Sequence, residues 1–272
     1  MNAVRPAITD QEFALFQRLI YRIAGISLSD AKRVLLVGRL GRRLEYYGLA
    51  TYGEYYRLLS SDEEPNELQK MVDLLTTNET YFFREPQHFD FLRDLVQQEA
   101  GAGGLFRIWS GASSSGEEAY SMAMVLAEYC PLRAWEVFGS DISMTVLARA
   151  QAGVYSLERI SGIPPAFLRK YCLKGVRSQE GKLLIDGRLR QHVRFAQVNL
   201  TQPISGVGQF DVIFLRNVMI YFDTETKRKV VANMLPSLKP GGHFVVGHSE
   251  SLNGLTTNLL AVRPTIYRKP AG

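Results

Sequence analysis

The pattern of apolar residues changes once along this 272-residue chain, and that change limits the folds it can adopt. Before the glycine-rich run at 101–104, apolar residues recur at intervals of three and four, which is typical of amphipathic helices. After that run, short stretches rich in Val, Ile, Phe and Trp alternate with helical segments. We therefore expect a helical part followed by an α/β part, whose mostly parallel sheet is covered on both faces.

The first predicted helix starts at an acidic cap, Asp10, and stops at Gly25. A second helix is expected from residue 29 or 30 to Gly48. Leucines recur in it at every fourth position, and these residues, Leu36, Leu40 and Leu44, are predicted to form its buried side. The stretches TYGEYYRLLSS and NELQKMVDLLTT continue the helical pattern, and no strand is expected before residue 105.

Six apolar runs are predicted to be strands: LFRIWS, WEVFGSDI, VRFAQVNL, FDVIFLRNV, HFVVGHSE and AVRPTIYRK. One stretch interrupts the alternation, because residues 173–193 are too few for a crossover helix and carry turn signals at Gly181 and Asp186-Gly187. We expect a small antiparallel β-subdomain there. The predicted domains are 1–88, all helical, and 89–272, the α/β domain with this insertion.

Composition is that of a soluble globular protein, with 46% hydrophobic and 22% charged residues. No apolar run approaches the ~18 residues of a membrane span, so direct membrane insertion is not expected. Cys130 and Cys172 are the two cysteines, and no secretory signal pattern precedes the first helix. These features indicate the reducing cytoplasm.

A formal charge of +5 is compatible with nucleic acid or with an acidic partner. Basic residues concentrate in one stretch that lacks acids, and they are Lys32, Arg33, Arg39, Arg42 and Arg43. The stretch is either a docking surface or an ordinary solvated helix face, and composition leaves both open.

In an open α/β sheet, ligands bind beyond the carboxyl ends of the strands. The loop from Gly111 to Gly116 follows the first strand and opens a helix, so its backbone can approach a ligand closely at Gly111. Glu117-Glu118 stands where a phosphate-binding loop would carry Lys and Ser or Thr, and two carboxylates would repel a polyphosphate. They would attract a cationic ligand, although acids also favour a first helical turn in any helix.

Asp141 ends the second strand about 25 positions later, where an acid can accept both hydroxyls of a ribose. A ribose together with a cation indicates S-adenosylmethionine. Asn199 ends a later strand and either contacts an adenine edge or simply forms a turn.

Five motifs in order resemble the chemotaxis receptor methyltransferases of the CheR type: LLTTNETYFFRE, GASSSGEEAYSMAM, GSDIS, VNL and FLRNVMIYFD. The resemblance covers nearly the whole chain. It implies a Rossmann-like S-adenosylmethionine-dependent methyltransferase domain with a small antiparallel β-subdomain, preceded by an all-helical N-terminal domain. The implied activity is methyl esterification of glutamates on the cytoplasmic helices of chemoreceptors, which underlies sensory adaptation.

The cofactor contacts that the resemblance implies are Asn78, Thr80, Arg84, Glu117, Asp141, Asn199, Leu200, Asn217 and Val218. The stretch TTNETYFFRE would close over the cofactor from the helical domain, with Arg84 pairing with its carboxylate. The rings of Tyr81, Phe82 and Phe83 would exclude water and face the sulfonium. The alternative is that these aromatics dock into the core.

Tyr221 and Arg84 are the predicted catalytic residues. A glutamate carboxylate is already ionised at neutral pH and needs no general base, so positioning and desolvation must supply the rate. Tyr221 would orient the acceptor carboxylate through its hydroxyl, although a core tyrosine would look similar in sequence. No metal is expected, since His243 and His248 project from opposite faces of one predicted strand.

The predicted substrate-docking residues are Lys32, Arg39, Arg42 and Arg43, which would attract acidic receptor helices. The β-subdomain has exposed edges on which a receptor's C-terminal peptide would add a strand, a property in which related enzymes differ. Two other functions remain open, a nucleic-acid methyltransferase and a catalytically silent receptor-binding adaptor. The nucleic-acid reading is weakened because NVMIY offers no stacking platform for a base, and no nucleic-acid partner is expected.

Overall fold

The computed structural model describes residues 7–61, 63–99, 101, 103–256 and 258–271. Four helices form the N-terminal part: α1 Asp10–Ala24, α2 Arg33–Tyr47, α3 Tyr52–Ser60 and α4 Glu67–Leu75. They enclose a core of their own, in which the predicted leucine stripe of α2 is buried. The cap of α1 is Thr9 rather than Asp10, because Thr9 and Glu12 form a reciprocal capping box. The helix ends at Gly25, which adopts the left-handed φ of 68°.

Six helices follow: α5 Gln87–Gln98, α6 Glu117–Tyr129, α7 Met144–Ala152, α8 Pro165–Tyr171, α9 Gly187–Arg190 and α10 Thr224–Met234. Ten strands accompany them: β1 Phe106–Gly111, β2 Trp135–Asp141, β3 Val154–Ser156, β4 Cys172–Lys174, β5 Lys182–Ile185, β6 Val193–Gln197, β7 Phe210–Leu215, β8 Leu238–Val246, β9 Leu260–Arg263 and β10 Ile266–Arg268. Seven of the strands form one mixed sheet in the order β6-β2-β1-β7-β8-β10-β9.

The central strands β6, β2, β1, β7 and β8 run parallel, and the last two strands are antiparallel. Successive side chains on β1 enter different cores, because Ile108 packs into one apolar cluster and Trp109 into another. Both faces of the sheet are therefore covered. The predicted fold class, a helical part followed by an α/β part with a small antiparallel sheet, is confirmed.

Two local expectations differ from the structure. The run AVRPTIYRK is not one strand but two, β9 and β10, because the chain turns at Pro264-Thr265, where Thr265 has a φ of 63°. The small sheet has the order β3-β5-β4 and spans residues 154–185, so the predicted insertion at 173–193 omits its first strand. A three-residue strand is too short to display an alternating pattern.

The carboxyl ends of β2, β1 and β7 lie side by side, since Gly111 pairs with Ser140 on one side and with Leu215 on the other. This edge of the sheet faces the helical domain, to which it is connected by an isolated bridge between Ile26 and Phe222. In the part of the chain that is described, none of the helices combines the length and apolarity required to cross a bilayer.

Candidate functional site

A cleft opens between the helical domain and the carboxyl edge of the sheet. It encloses about 1250 Å³, including its open mouth. Nine predicted residues line its walls: Asn78, Thr80, Arg84, Asp141, Asn199, Leu200, Asn217, Val218 and Tyr221.

Asp141 is held at the floor of the cleft by backbone donors. Its Oδ2 accepts from the amide of Ser114 and its Oδ1 from the amide of Ser143, both at 2.9 Å. Burial raises the pKa of Asp141 above its ordinary value, although these hydrogen bonds oppose the shift. Each carboxylate oxygen keeps acceptor capacity for a ligand hydroxyl. The arrangement suits recognition of a ribose.

The structure does not place Gly111 or Glu117 on the cleft wall. A Cβ on Gly111 would lie 2.9 Å from Met234 Cε, so this glycine permits close packing below the cleft rather than contact with a cofactor. Glu117 is fully buried behind the loop and accepts from Ser115 Oγ at 2.7 Å. Its neighbour Glu118 lines the cleft instead. Sequence alone could not say which of the two consecutive acids points inward.

The stretch TTNETYFFRE divides its side chains between the cleft and the core. Tyr81 and Arg84 line the cleft. Phe82 is fully buried and packs edge-on against Tyr155 at 4.9 Å, and Phe83 packs against the same core. The expectation that all three rings face the ligand was therefore wrong, because two of them anchor the loop to the α/β domain.

Arg84 is presented by an unusual backbone conformation. Phe83 and Glu85, on either side of it, have φ values of 53° and 58°, in the left-handed region that non-glycine residues seldom adopt. Its Nη1 donates to the carbonyl of Glu79 at 3.1 Å, and its guanidinium lies 5.6 Å from the ring centroid of Tyr81. Such backbone strain concentrates at functional sites.

A buried arginine that sequence reasoning missed connects three segments of the site. Arg216 has a 1% exposed side chain and pairs with Glu85 at 2.9 Å and with Glu118 at 2.8 Å. It also donates to the backbone carbonyl of Arg84. Arg216, Glu85 and Glu118 all stand inside the quoted motifs, so the signal was present, but nothing in one sequence showed that they meet.

The two carboxyls of this network titrate differently. Burial raises the pKa of Glu118 above its ordinary value despite its ion pair with Arg216 and its hydrogen bond from Ser110. Burial would also raise the pKa of Glu85, but hydrogen bonds from Arg216 and Asn217 outweigh burial and leave that pKa lowered.

The loop after β7 is fixed by a second missed acid, Glu250. Its carboxylate accepts from the amides of Asn217, Met219 and Gly247 at 2.7, 2.7 and 2.8 Å. Asn217 has a φ of 58°, and the three bonds hold it in that conformation. Tyr221 follows on a short 3-10 turn, and its carbonyl accepts from the amide of Ser27 at 2.9 Å. Tyr221 is thereby positioned where the two domains meet.

The side chain of Asn199 connects the two domains. Its Nδ2 donates to the carbonyl of Ile23 at 2.6 Å, and its Oδ1 accepts from the amide and the hydroxyl of Thr201. Both lone pairs of Oδ1 are used at the end of α1, which leaves the second hydrogen of Nδ2 for the edge of a base. Asn199 still contributes surface to the cleft wall.

The four predicted docking residues occupy different environments. Arg43 forms a two-pronged ion pair with buried Glu67 at 2.7 and 2.6 Å, so its assignment to a docking surface was wrong. Arg39 donates to the carbonyls at the end of α4 and is half-buried. Lys32 and Arg42 are exposed, and Lys32 lines the cleft. The spacing of basic residues could not reveal an acid 24 positions away.

Comparison with known proteins identifies both parts of the chain. Residues 11–76 match the family model for the all-alpha domain of CheR methyltransferases, and residues 78–267 match the model for their SAM binding domain. A chemotaxis protein methyltransferase of Escherichia coli (strain K12) is 40% identical over 97% of this chain and 92% of its own. Chemotaxis protein methyltransferase 2 of Pseudomonas aeruginosa is 39% identical over 95% and 93%.

Among solved structures, the N-methyltransferase NodS from Bradyrhizobium japonicum WM9 aligns with a TM-score of 0.39 and 16% identity, over 70% of this chain and 99% of that one. The sequence matches are much stronger and extend over both domains. On that basis, the chain belongs to the CheR methyltransferase family.

Proposed function

We propose that this protein is a chemotaxis methyltransferase that transfers the methyl group of S-adenosylmethionine to glutamate carboxylates of a chemoreceptor's cytoplasmic domain. The observation that carries the proposal is the convergence of Asp141, Arg84 and Tyr221 on one cleft in a member of this family. The names of its relatives support a role in chemotaxis. The chemistry of the cleft supports a glutamate carboxylate as the methyl acceptor.

The residues of the cleft fit S-adenosylmethionine. Asp141 offers two acceptors to a ribose, and Leu200 and Val198 offer apolar surface to a base. Arg84 carries the charge and the planar donors that a methionyl carboxylate requires. When bound, the cofactor supplies an electrophilic methyl group on a positively charged sulfur. Glu118 provides a carboxylate on the same wall for the cationic end of the ligand.

The acceptor chemistry follows from charge. A receptor glutamate is ionised at neutral pH, and neutralisation of a carboxylate and a sulfonium is favoured where water is excluded. Tyr221 lines the cleft at the domain junction, and its hydroxyl would hold the acceptor carboxylate in line. Arg216 keeps Arg84 in place by pairing with two carboxylates and donating to the Arg84 carbonyl, which makes Arg216 a positioning residue.

We assign docking of an acidic receptor helix to the exposed basic residues. Lys32 stands on the wall of the cleft, and Arg42 lies exposed on the same helical domain. Within the described residues neither forms an ion pair like that of Arg43 with Glu67, so both can attract a negatively charged helix at low salt.

A second contact with the receptor would use the β-subdomain. Its strands β3 and β4 are the outer strands of a three-stranded sheet. Leu173 on β4 is 52% exposed and Val176 just beyond it is 70% exposed, which favours this edge for an added peptide strand. Removal of a receptor's C-terminal peptide would then weaken its methylation.

The experiment that tests the proposal uses methyl-labelled S-adenosylmethionine with receptor cytoplasmic fragments and, separately, with DNA and RNA. We expect label in the receptor only, released as methanol by mild base, because a methyl ester is base-labile and a methylated amine is not. Mass spectrometry of peptides then identifies the glutamates.

Label in nucleic acid would favour the rival enzyme class. Calorimetry with S-adenosylhomocysteine separates the other rival, since a silent adaptor would give no saturable heat. Base-stable label in the receptor would retain methyl transfer but overturn the glutamate assignment.

A further inference from the structure

Three side chains that could bind a metal ion meet behind the Arg216 network. Glu85 Oε2 lies 3.4 Å from His88 Nδ1 and 3.9 Å from His248 Nε2, and the three ligand atoms all fall within 4.8 Å of one another. None of these residues lines the cleft. They come from the loop before α5, from α5 itself and from the segment after β8, so their spacing along the chain gives no metal signal.

A hydrogen bond through Thr265 orients the ring of His88. The hydroxyl of Thr265 donates to the carbonyl of Pro264 at 2.6 Å, which leaves its oxygen able to accept from His88 Nε2 at 2.8 Å. In this arrangement His88 is the Nε2–H tautomer, and its Nδ1 presents a lone pair. The hydrogen bond to Thr265 also orients the ring, as outer partners do for histidine ligands of metals.

The lone pair of His88 Nδ1 has no donor. His88 is 2% exposed, and Nδ1 is one of the buried polar atoms left without a hydrogen-bond partner among the described residues. The atom facing it is a carboxylate oxygen of Glu85, which is also an acceptor.

Arg216 Nη2 pairs at 2.9 Å with the same oxygen, Glu85 Oε2, so the ion would share this oxygen with the guanidinium. Arg216 also pairs with Glu118, and the three side chains together carry one net negative charge when both acids are ionised. His243 stays apart from the cluster, packed against the ring of Phe91 at 5.2 Å.

We propose that Glu85 Oε2, His88 Nδ1 and His248 Nε2 form a binding site for one divalent transition metal ion, with Zn²⁺ the best match. Two imidazoles and one carboxylate are a common zinc donor set, and ligand atoms about 2.0–2.2 Å from the metal stand roughly 3.2–3.5 Å apart. The 3.4 Å separation meets this requirement. The other two separations, 3.9 Å between Glu85 and His248 and up to 4.8 Å between the two histidines, require His248, whose side chain is 48% exposed, to turn toward the other ligands.

The ion would brace the segment that presents Arg84. Glu85 directly follows Arg84 in a left-handed conformation, and its carboxylate also accepts from the amide of His248 at 3.1 Å. A metal would add two links between this segment and the end of the sheet. The site opens to solvent on the side of His248, away from the cleft, and takes no part in methyl transfer.

The test uses the full chain without a polyhistidine tag, stripped by chelator and dialysed. Zn²⁺ is titrated in competition with a chromophoric chelator, and Co²⁺ serves as a spectroscopic substitute. We expect one ion per chain and Co²⁺ absorption bands of a four- or five-coordinate site with nitrogen ligands. His248→Ala should lower the affinity at least tenfold, and the exposed position of His248 makes this variant the one least harmful to folding.

His192→Ala is the matched control, because His192 lies near Trp135 and outside the cluster, and it should bind Zn²⁺ like the parent protein. A second variant, Glu85→Gln, should also weaken binding. Absence of saturable binding, or equal affinity in the parent and His248→Ala proteins, would overturn the site. Neither outcome bears on the methyltransferase proposal, because calorimetry with S-adenosylhomocysteine is read independently.

Discussion

Each domain of the protein buries an Arg–Glu ion pair, and the two pairs differ in how completely their polar atoms are satisfied. In the helical domain, the carboxylate of Glu67 accepts four hydrogen bonds. They come from Arg43 Nε and Nη2, Tyr47 and Tyr55, at 2.6 to 3.0 Å. Both oxygens are saturated, so this pair has no capacity left for a ligand.

The α/β domain contrasts with this arrangement. The buried side-chain atoms that lack a partner in the described residues all lie after α4: His88 Nδ1, Ser113 Oγ, Glu117 Oε1 and Arg216 Nε. Arg159 lies 3.1 Å from Glu117 Oε1, but without the alignment of a hydrogen bond. Ser113 and Arg216 line the cleft, whereas His88 and Glu117 do not. Unsatisfied buried polar groups are costly and rare, so this part of the chain carries a cost that the Arg43–Glu67 pair avoids.

The largest expected effect comes from breaking the satisfied pair. Arg43→Met leaves the carboxylate of Glu67 buried without its cation, and we expect a loss of about 3–5 kcal/mol in the free energy of unfolding. Denaturant unfolding measures it. Arg42→Met, on the neighbouring exposed position, is the matched control and should change stability by less than about 0.5 kcal/mol. Similar stabilities for both variants would show that the Arg43–Glu67 pair does not stabilise the helical domain more than an exposed arginine does.

The pH dependence of that loss has a definite sign. Burial would raise the pKa of Glu67, but hydrogen bonds from Arg43 and the tyrosines outweigh it and leave the pKa below 4.5. Stabilisation by this carboxylate is therefore complete above about 4.5 and is lost as pH falls through the lowered pKa. The stability difference between the parent and Arg43→Met proteins should therefore shrink as pH falls below about 4.5. A difference that grows on acidification would contradict the assignment.

In the cleft, we expect loss of binding without loss of stability. Arg84→Ala should weaken affinity for S-adenosylhomocysteine at least tenfold, about 1.4 kcal/mol, because a charge-assisted hydrogen bond is removed. Calorimetry gives the affinity and thermal unfolding confirms the fold. Arg18→Ala, exposed on α1, is the control and should bind normally. Unchanged affinity in folded Arg84→Ala would end its role in cofactor binding.

Tyr221→Phe should separate catalysis from binding. Loss of one hydroxyl that acts on the acceptor is expected to lower kcat on the order of tenfold and to leave cofactor affinity nearly intact. Tyr46→Phe, at a 71% exposed tyrosine on α2, is the control for removal of a phenol group. Normal turnover in Tyr221→Phe would make Tyr221 a packing residue at the domain junction.

The smallest effect concerns receptor docking. Lys32→Glu should raise the KM for a receptor fragment roughly two- to fivefold at low ionic strength, and the change should fade as salt increases. Lys229→Glu, exposed on α10 and outside the cleft wall, is the charge-matched control. Equal KM values for the two variants would show that the basic stretch is an ordinary solvated helix face and not a docking surface.

Local pattern was enough to predict most of the architecture. The interval-of-four leucines of α2 are buried as expected, and each of the six apolar runs contains a strand. Residues that directly follow strands, such as Asp141 and Asn217, reach the cleft because the carboxyl ends of parallel strands meet at one edge. Site residues whose place follows from the ends of strands could therefore be predicted from the sequence alone.

Partners that meet across elements were decided only by tertiary packing. Arg43 and Glu67 are 24 positions apart, and Arg216 lies 132 positions from Arg84, whose carbonyl it binds. Periodicity shows which side of an element is buried, but not which side chain of another element lies opposite. The same limit explains why Phe82 and Phe83 were expected in the cleft. Side-chain roles depend on distances in space, which the chain acquires only when its two domains pack together.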